Sequence, residues 1–139
     1  MTNTRMPALF LGHGLAMNAI SDVPERRSWQ RLGQVLPRPK AMLVVSAHWE
    51  TREAIHLTGG DSPRTIHDFG GFPDALFAVQ YPAPGSPELV ERVASLLGED
   101  AVRRDESWGF DHGSWGVVQP MYPAADIQMI QLSLNRALT

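Results

Sequence analysis

The sequence predicts an α/β domain, and three observations carry that expectation. Residues 41–49 are a continuous run of small, apolar and β-branched side chains ending on His48 and Trp49, the pattern of a strand buried on both faces of a parallel sheet. Residues 8–11, Ala-Leu-Phe-Leu, run in the same way into Gly12-His13-Gly14. Between and after these runs lie segments of helical period. Residues 87–97 are the clearest: Leu89, Val90, Val93, Leu96 and Leu97 make one apolar stripe, with Ser86 at the N-cap, Pro87 at the first helical position and Gly98 just past the end. Parallel strands in open α/β sheets bind ligands outside their carboxyl ends. Two strands that deliver His13 and His48 there suggest the two halves of a metal pocket. For one such histidine alone, a hydrogen-bonded core imidazole is the plainer reading, and the repeated placement is what sets the metal reading beside it.

In chain order, residues 1–6 read as a loose arm and residues 7–11 as the first strand. Gly12 and Gly14 bracket His13 so that the backbone can turn sharply there. Residues 16–22 read as a loop or a short helical turn. In residues 26–35, Trp29, Leu32 and Val35 fall at helical spacing, giving an amphipathic helix with Trp29 in the core. Pro37-Arg38-Pro39 closes it, and the central strand follows. Residues 53–58 read as a short strand in which His56 has no function. Residues 65–73, Thr-Ile-His-Asp-Phe-Gly-Gly-Phe-Pro, form a loop where Phe69 and Phe72 plug the core edge; aromatic, glycine-containing loops also line pocket mouths. Its Asp-Phe-Gly does not mark a kinase, because no Gly-rich nucleotide loop or catalytic-loop motif accompanies it. Residues 101–104 read as an edge strand, residues 108–115 as a second aromatic, glycine-rich loop around His112, residues 115–121 as a helix and residues 127–134 as the last strand.

Composition narrows the function classes. The 139 residues fit a single domain spanning 1–139, with no linker or repeat. A net charge of −3 without a basic run offers nothing to nucleic acid or acidic membranes. No apolar stretch approaches the length of a membrane span and no leader pattern precedes residue 7, so a cytoplasmic location is expected. With no cysteine, any metal must be held by His, Asp or Glu.

His13, His48, His67 and His112 all lie at strand ends or in glycine-rich loops, and none sits on an apolar helical face. Imidazole is the commonest ligand for zinc and a frequent one for iron, and its second nitrogen needs a partner to set the tautomer. Asp68, Asp111 and Ser46 are the nearby candidates for that task. The spacing forms no compact ligand motif, so the residues by themselves support an α/β domain with a histidine-rich pocket.

Five ordered motifs go further. Leu11-Gly12-His13-Gly14, Val45-Ser46-Ala47-His48-Trp49, the 65–73 loop, Tyr81-Pro82-Ala83-Pro84-Gly85-Ser86-Pro87 and Trp108-Gly109-Phe110-Asp111-His112-Gly113 together resemble the 4,5-DOPA-extradiol-dioxygenase group of the class III (LigB-like) ring-opening dioxygenases. The resemblance covers essentially the whole chain. It implies a three-layer α/β/α fold with a mostly parallel sheet, and one divalent metal, zinc or Fe(II), at the strand ends. The implied activity is opening of a catechol-type, DOPA-like ring beside its diol, with O₂ as co-substrate. By the same resemblance, His13 and His48 match metal ligands, His112 a catalytic histidine bordering the substrate, and His67 a catalytic candidate in the loop beside the pocket.

Two departures qualify the likeness. Leu15-Ala16 stands where the family usually has Ser-Pro, replacing a hydroxyl and a rigid ring beside the metal. Family members also continue for about as much chain again, and that part carries a third metal ligand and the usual catalytic base. The chain is therefore expected to represent the N-terminal half of the family fold, as a fragment or as an obligate homo-oligomer. The alternative to the dioxygenase is a non-catalytic metal-binding or interaction module of the same fold. A histidine-metal hydrolase is weaker still, since no Asp or Glu adjoins His13 or His48 as a general base.

Overall fold

The computed structural model describes residues 5–138. Residues 1–4 of the expected arm lie outside the described residues. The helices and strands are α1 (Pro24–Val35), β1 (Ala41–Thr51), β2 (Ile55–Thr58), α2 (Asp74–Phe77), α3 (Pro87–Leu97), β3 (Val102–Asp105), α4 (His112–Met121) and β4 (Gln128–Asn135), with short 3-10 turns at Ala16–Ala19, Glu99–Ala101 and Arg136–Leu138. The strands form one sheet in the order β1-β4-β2-β3. β1 and β4 are parallel, as are β2 and β3, while β2 meets β4 antiparallel through Leu57 and Leu132. The sheet is thus mixed, with parallel pairs predominating.

Helices cover both faces, which gives the α/β/α layering. Neighbouring strand residues point to opposite sides of a sheet. Met129 of β4 accordingly joins the core that holds Trp115, Phe110, Tyr81 and Leu76, against which Met42 and Val44 of β1 pack. Ile130 belongs to the opposite core, with Leu57, Val102 and the Val90, Val93 and Ala94 stripe of α3. Helix α3 begins as its sequence dictates: Ser86 Oγ accepts the Leu89 N–H at 3.2 Å and Pro87 occupies the first turn. In α1 the buried side chain is Trp29, and Pro24 starts the helix two residues earlier than its apolar spacing indicated. In the first core the Tyr81 hydroxyl donates to the Tyr122 carbonyl at 2.8 Å. Burial, with Asp126 and Tyr122 nearby, pushes its pKa up to about 12.

Three expectations need correction. Residues 7–11 form no strand: they pair with no neighbour among the described residues, and Phe10 is fully exposed. A strand is held by ladder hydrogen bonds to a partner, and an apolar run alone supplies none. β1 is not buried on both faces, because α3 does not extend over it and Leu43 and Val45 remain 46% and 52% exposed. Helix α4 starts at His112 rather than at Trp115, which places a histidine in its first turn. The short helix α2, which follows the 65–73 loop, has no counterpart in the sequence reading. Phe69 and Phe72 do pack against the first core, as the loop composition indicated.

Candidate metal centre

The β1–β4 ladder is regular from Ala41↔Gln128 to Val45↔Leu132, then breaks and resumes at Glu50↔Leu134. The break falls on Ser46 and His48. Such irregularities re-aim side chains and bend a strand away from its partner. Polar groups occupy the gap: Ser133 Oγ lies 2.7 Å from Thr51 Oγ1 and accepts the His56 N–H at 2.8 Å. His13 arrives from the irregular N-terminal segment. Gly14, at φ +65°, makes the turn a side chain would disfavour, and Asn18 Nδ2 donates to the His13 carbonyl at 3.2 Å. His112 arrives on the first residue of α4.

These three histidines converge. One nitrogen from each of His13, His48 and His112 lies within 4.8 Å of the other two. His13 Nε2 and His48 Nε2 are 3.0 Å apart, and the ring centroids of His48 and His112 are 4.1 Å apart. His112 is anchored by Asp68, whose Oδ1 accepts its backbone N–H at 2.9 Å and its Nδ1–H at 2.8 Å.

A buried polar network supports the group from below. Asp111 is fully buried. It accepts from Ser46 Oγ at 2.7 Å and from Trp108 Nε1 at 3.4 Å, and it also takes a short hydrogen bond from Gln131 Nε2. Gln131 Oε1 in turn accepts from Ser114 Oγ at 2.6 Å. Ser46 Oγ also accepts the His48 N–H at 3.2 Å, so the network reaches the histidine directly. Trp108 stacks on Trp49 with ring centroids 5.6 Å apart.

The electrostatics suit a cation. Burial, followed by the neighbouring His112 and His48, lowers the His13 pKa below its ordinary value. That shift favours the neutral imidazole, the form a metal ligand must take. His13 Nδ1 is buried without a hydrogen-bond partner, so one nitrogen of this ring is left for a ligand. The buried Asp111 carboxylate has only neutral donors among the described residues, and an uncompensated buried anion costs several kcal/mol. Three imidazole nitrogens above a buried carboxylate are a donor set that fits one divalent ion of the zinc or iron type.

His67, the other candidate, is not brought to this group. Its Nε2 lies 2.7 Å from the Val79 carbonyl, and its ring packs against Phe69, Phe77 and Trp115. It reaches the histidines through Phe69, whose ring meets that of His112 edge-on at 5.5 Å. His56, given no function, pairs instead with Asp105 at 2.8 Å. Gln131 escaped the sequence reading, in which Gly113 figured only as the last residue of a motif. The signal for Gln131 was an amide set among the apolar residues in the middle of β4.

Comparison with known proteins identifies the family. Residues 10–139 match the family model described as the catalytic LigB subunit of aromatic ring-opening dioxygenase. A 4,5-DOPA dioxygenase extradiol of Escherichia coli K12 is 60% identical over 136 residues, covering 97% of this chain and 50% of that protein. A protein of the same name from Beta vulgaris is 44% identical over 137 residues, covering 93% and 50%. The crystal structure of an uncharacterized Escherichia coli K12 protein superposes with a TM-score of 0.74 at 52% identity, covering 94% of this chain and 48% of the other. The chain thus spans about half the length of these relatives. With the family model matched from residue 10 onward and three of the four motif histidines gathered at one site, this chain belongs to the LigB family of aromatic ring-opening dioxygenases.

Proposed function

We propose that the chain provides the metal-binding part of an extradiol dioxygenase that opens a catechol-type, DOPA-like substrate with O₂. The convergence of His13, His48 and His112 carries this reading. His13 and His48, with Nε2 atoms 3.0 Å apart, are the proposed ligands of one divalent ion, Fe(II) or zinc. When bound, that ion would supply Lewis acidity and, as Fe(II), the redox capacity that O₂ chemistry requires.

The chain's own residues do the remaining work. His112 stands against both ligands and is the proposed acceptor of a catechol hydroxyl proton. Asp111 and Ser46 hold the backbone of the His48 segment and place negative charge beneath the site. Phe69 gives an aromatic edge next to His112, a surface suited to a planar ring. His67, fixed by Val79 and the surrounding aromatics, shapes the loop that carries Phe69. The free edge of β1 and the exposed Leu43, Val45 and Phe10 support a working form in which further polypeptide, or a second copy, covers this side.

The test is turnover. Protein loaded anaerobically with Fe(II), its metal content confirmed, should consume O₂ and form a yellow ring-opened product when given L-DOPA or another catechol. Metal binding without O₂ consumption across a catechol panel would overturn the dioxygenase reading in favour of a metal-binding module. The half-length match to the relatives is the observation that keeps this second reading in play.

A further inference from the structure

We propose that Asp68 is the positioning residue that sets the tautomer and orientation of His112, so that Nε2 is the nitrogen His112 presents to the site. The two residues are 44 apart in sequence and belong to different elements, the 65–73 loop and the start of α4. A single oxygen, Oδ1, accepts both the backbone N–H of His112 and its ring Nδ1–H. A carboxylate oxygen can only accept, so Nδ1 carries the hydrogen and Nε2 keeps the lone pair. Only that nitrogen can then bind a metal or take up a proton.

The backbone half of the contact explains why the arrangement is rigid. The first turn of a helix has N–H groups without intrahelical partners. The residue before α4, Asp111, makes no side-chain cap, because its carboxylate is committed to Ser46, Gln131 and Trp108. Asp68 takes over part of that capping task from a remote loop. The helix start and the ring are therefore held by the same atom, and a ring that swings gives up its Nδ1–H bond to it. The next residue, Phe69, closes the ring's other side with an edge-on contact. Burial opposes ionisation of Asp68, but the hydrogen bonds from the His112 side chain and backbone outweigh it and hold the carboxyl below its ordinary value.

This inference rests on the reading of His112 as a working residue of the site, and its test does not depend on turnover. The full chain, ¹⁵N-labelled and free of metal, is examined by long-range ¹H–¹⁵N NMR of the imidazole rings at a pH where His112 is neutral. In the wild type His112 should be predominantly the Nδ1–H tautomer. Asp68→Asn keeps an acceptor oxygen and should retain that tautomer, whereas Asp68→Ala should shift it towards Nε2–H. A wild-type His112 that is mainly Nε2–H overturns the proposal. So does a folded Asp68→Ala protein with the wild-type tautomer ratio. If Asp68→Ala does not fold, the wild-type spectrum and Asp68→Asn decide the matter. The expected tautomer in a protein that never consumes O₂ would leave this inference standing and overturn the dioxygenase reading instead.

Discussion

Gly113 lies against His48 with no room for a side chain. A Cβ on Gly113 would sit 2.8 Å from His48 Cδ2, 2.5 Å from Ser46 Oγ and 3.2 Å from Asp111 Oδ1. The start of α4 and the broken stretch of β1 are pressed together at this point, so the glycine sets how near His112 comes to His48. Gly113→Ala should improve helix propensity by up to about 1 kcal/mol, yet overpacking should reverse this to a net loss of roughly 1–3 kcal/mol. We expect zinc affinity to fall at least about tenfold as His48 is displaced. A Gly113→Ala protein that titrates with zinc like the wild type would refute the close-approach account.

Trp115 is the largest fully buried side chain and donates its indole N–H to the Ile66 carbonyl at 2.8 Å. Trp115→Phe should lower stability by about 1–3 kcal/mol, because the buried carbonyl loses its donor. Trp115→Ala should cost about 3–5 kcal/mol through the cavity it leaves. Urea unfolding followed by far-UV circular dichroism measures both, and a Trp115→Phe protein as stable as the wild type would show that the hydrogen bond contributes nothing.

Asp105 predicts a pH dependence of stability. Burial raises its pKa, but hydrogen bonds from the Ser107 hydroxyl and from His56 outweigh this and hold it below the ordinary value. A depressed carboxyl pKa stabilises the fold above the unfolded value, near about 4, and that contribution is lost as pH falls through the folded value. Asp105→Asn should therefore be about 1–2 kcal/mol less stable than wild type at neutral pH, with the gap closing at strongly acidic pH. A gap independent of pH would mean that charge plays no part.

The uncovered side of β1 predicts association. Leu43 and Val45 face away from the helix-covered core beside a strand edge that is unpaired among the described residues, and such surfaces recruit other chains. In sedimentation velocity the chain alone should show concentration-dependent association. Replacing Leu43 and Val45 with lysine should weaken it at least about tenfold without altering the zinc affinity of the histidines. Unchanged association in the double variant would place the contact elsewhere.

The elements with strong local signals were legible in the sequence. Helix α3 carries its cap, its proline and its apolar stripe within a dozen residues, and these interactions close locally at Ser86 and Leu89. Trp29 is buried in α1, as its spacing indicated. Where a feature depends on distant chain, sequence reasoning erred. Residues 7–11 have the composition of a strand but no pairing partner among the described residues, and β1 has the composition of a doubly buried strand but a covering layer on one side only. Helix α4 began early because its first N–H donor is satisfied by Asp68, which no local pattern around His112 reveals.

For the site, the sequence by itself determined the chemistry available: neutral nitrogen ligands, no thiolate, and histidines placed at chain turns bordered by glycine. It also sufficed to suggest the family, since ordered motifs survive without coordinates. Tertiary structure alone decided which histidines meet. His13, His48 and His112 converge while His67 turns to Val79 and the aromatic cluster. That choice depends on the break in the β1–β4 ladder, the close approach at Gly113 and the double hydrogen bond to Asp68. Each joins residues far apart in the chain, and a hydrogen bond or steric contact of that kind exists only once the fold has brought its partners together.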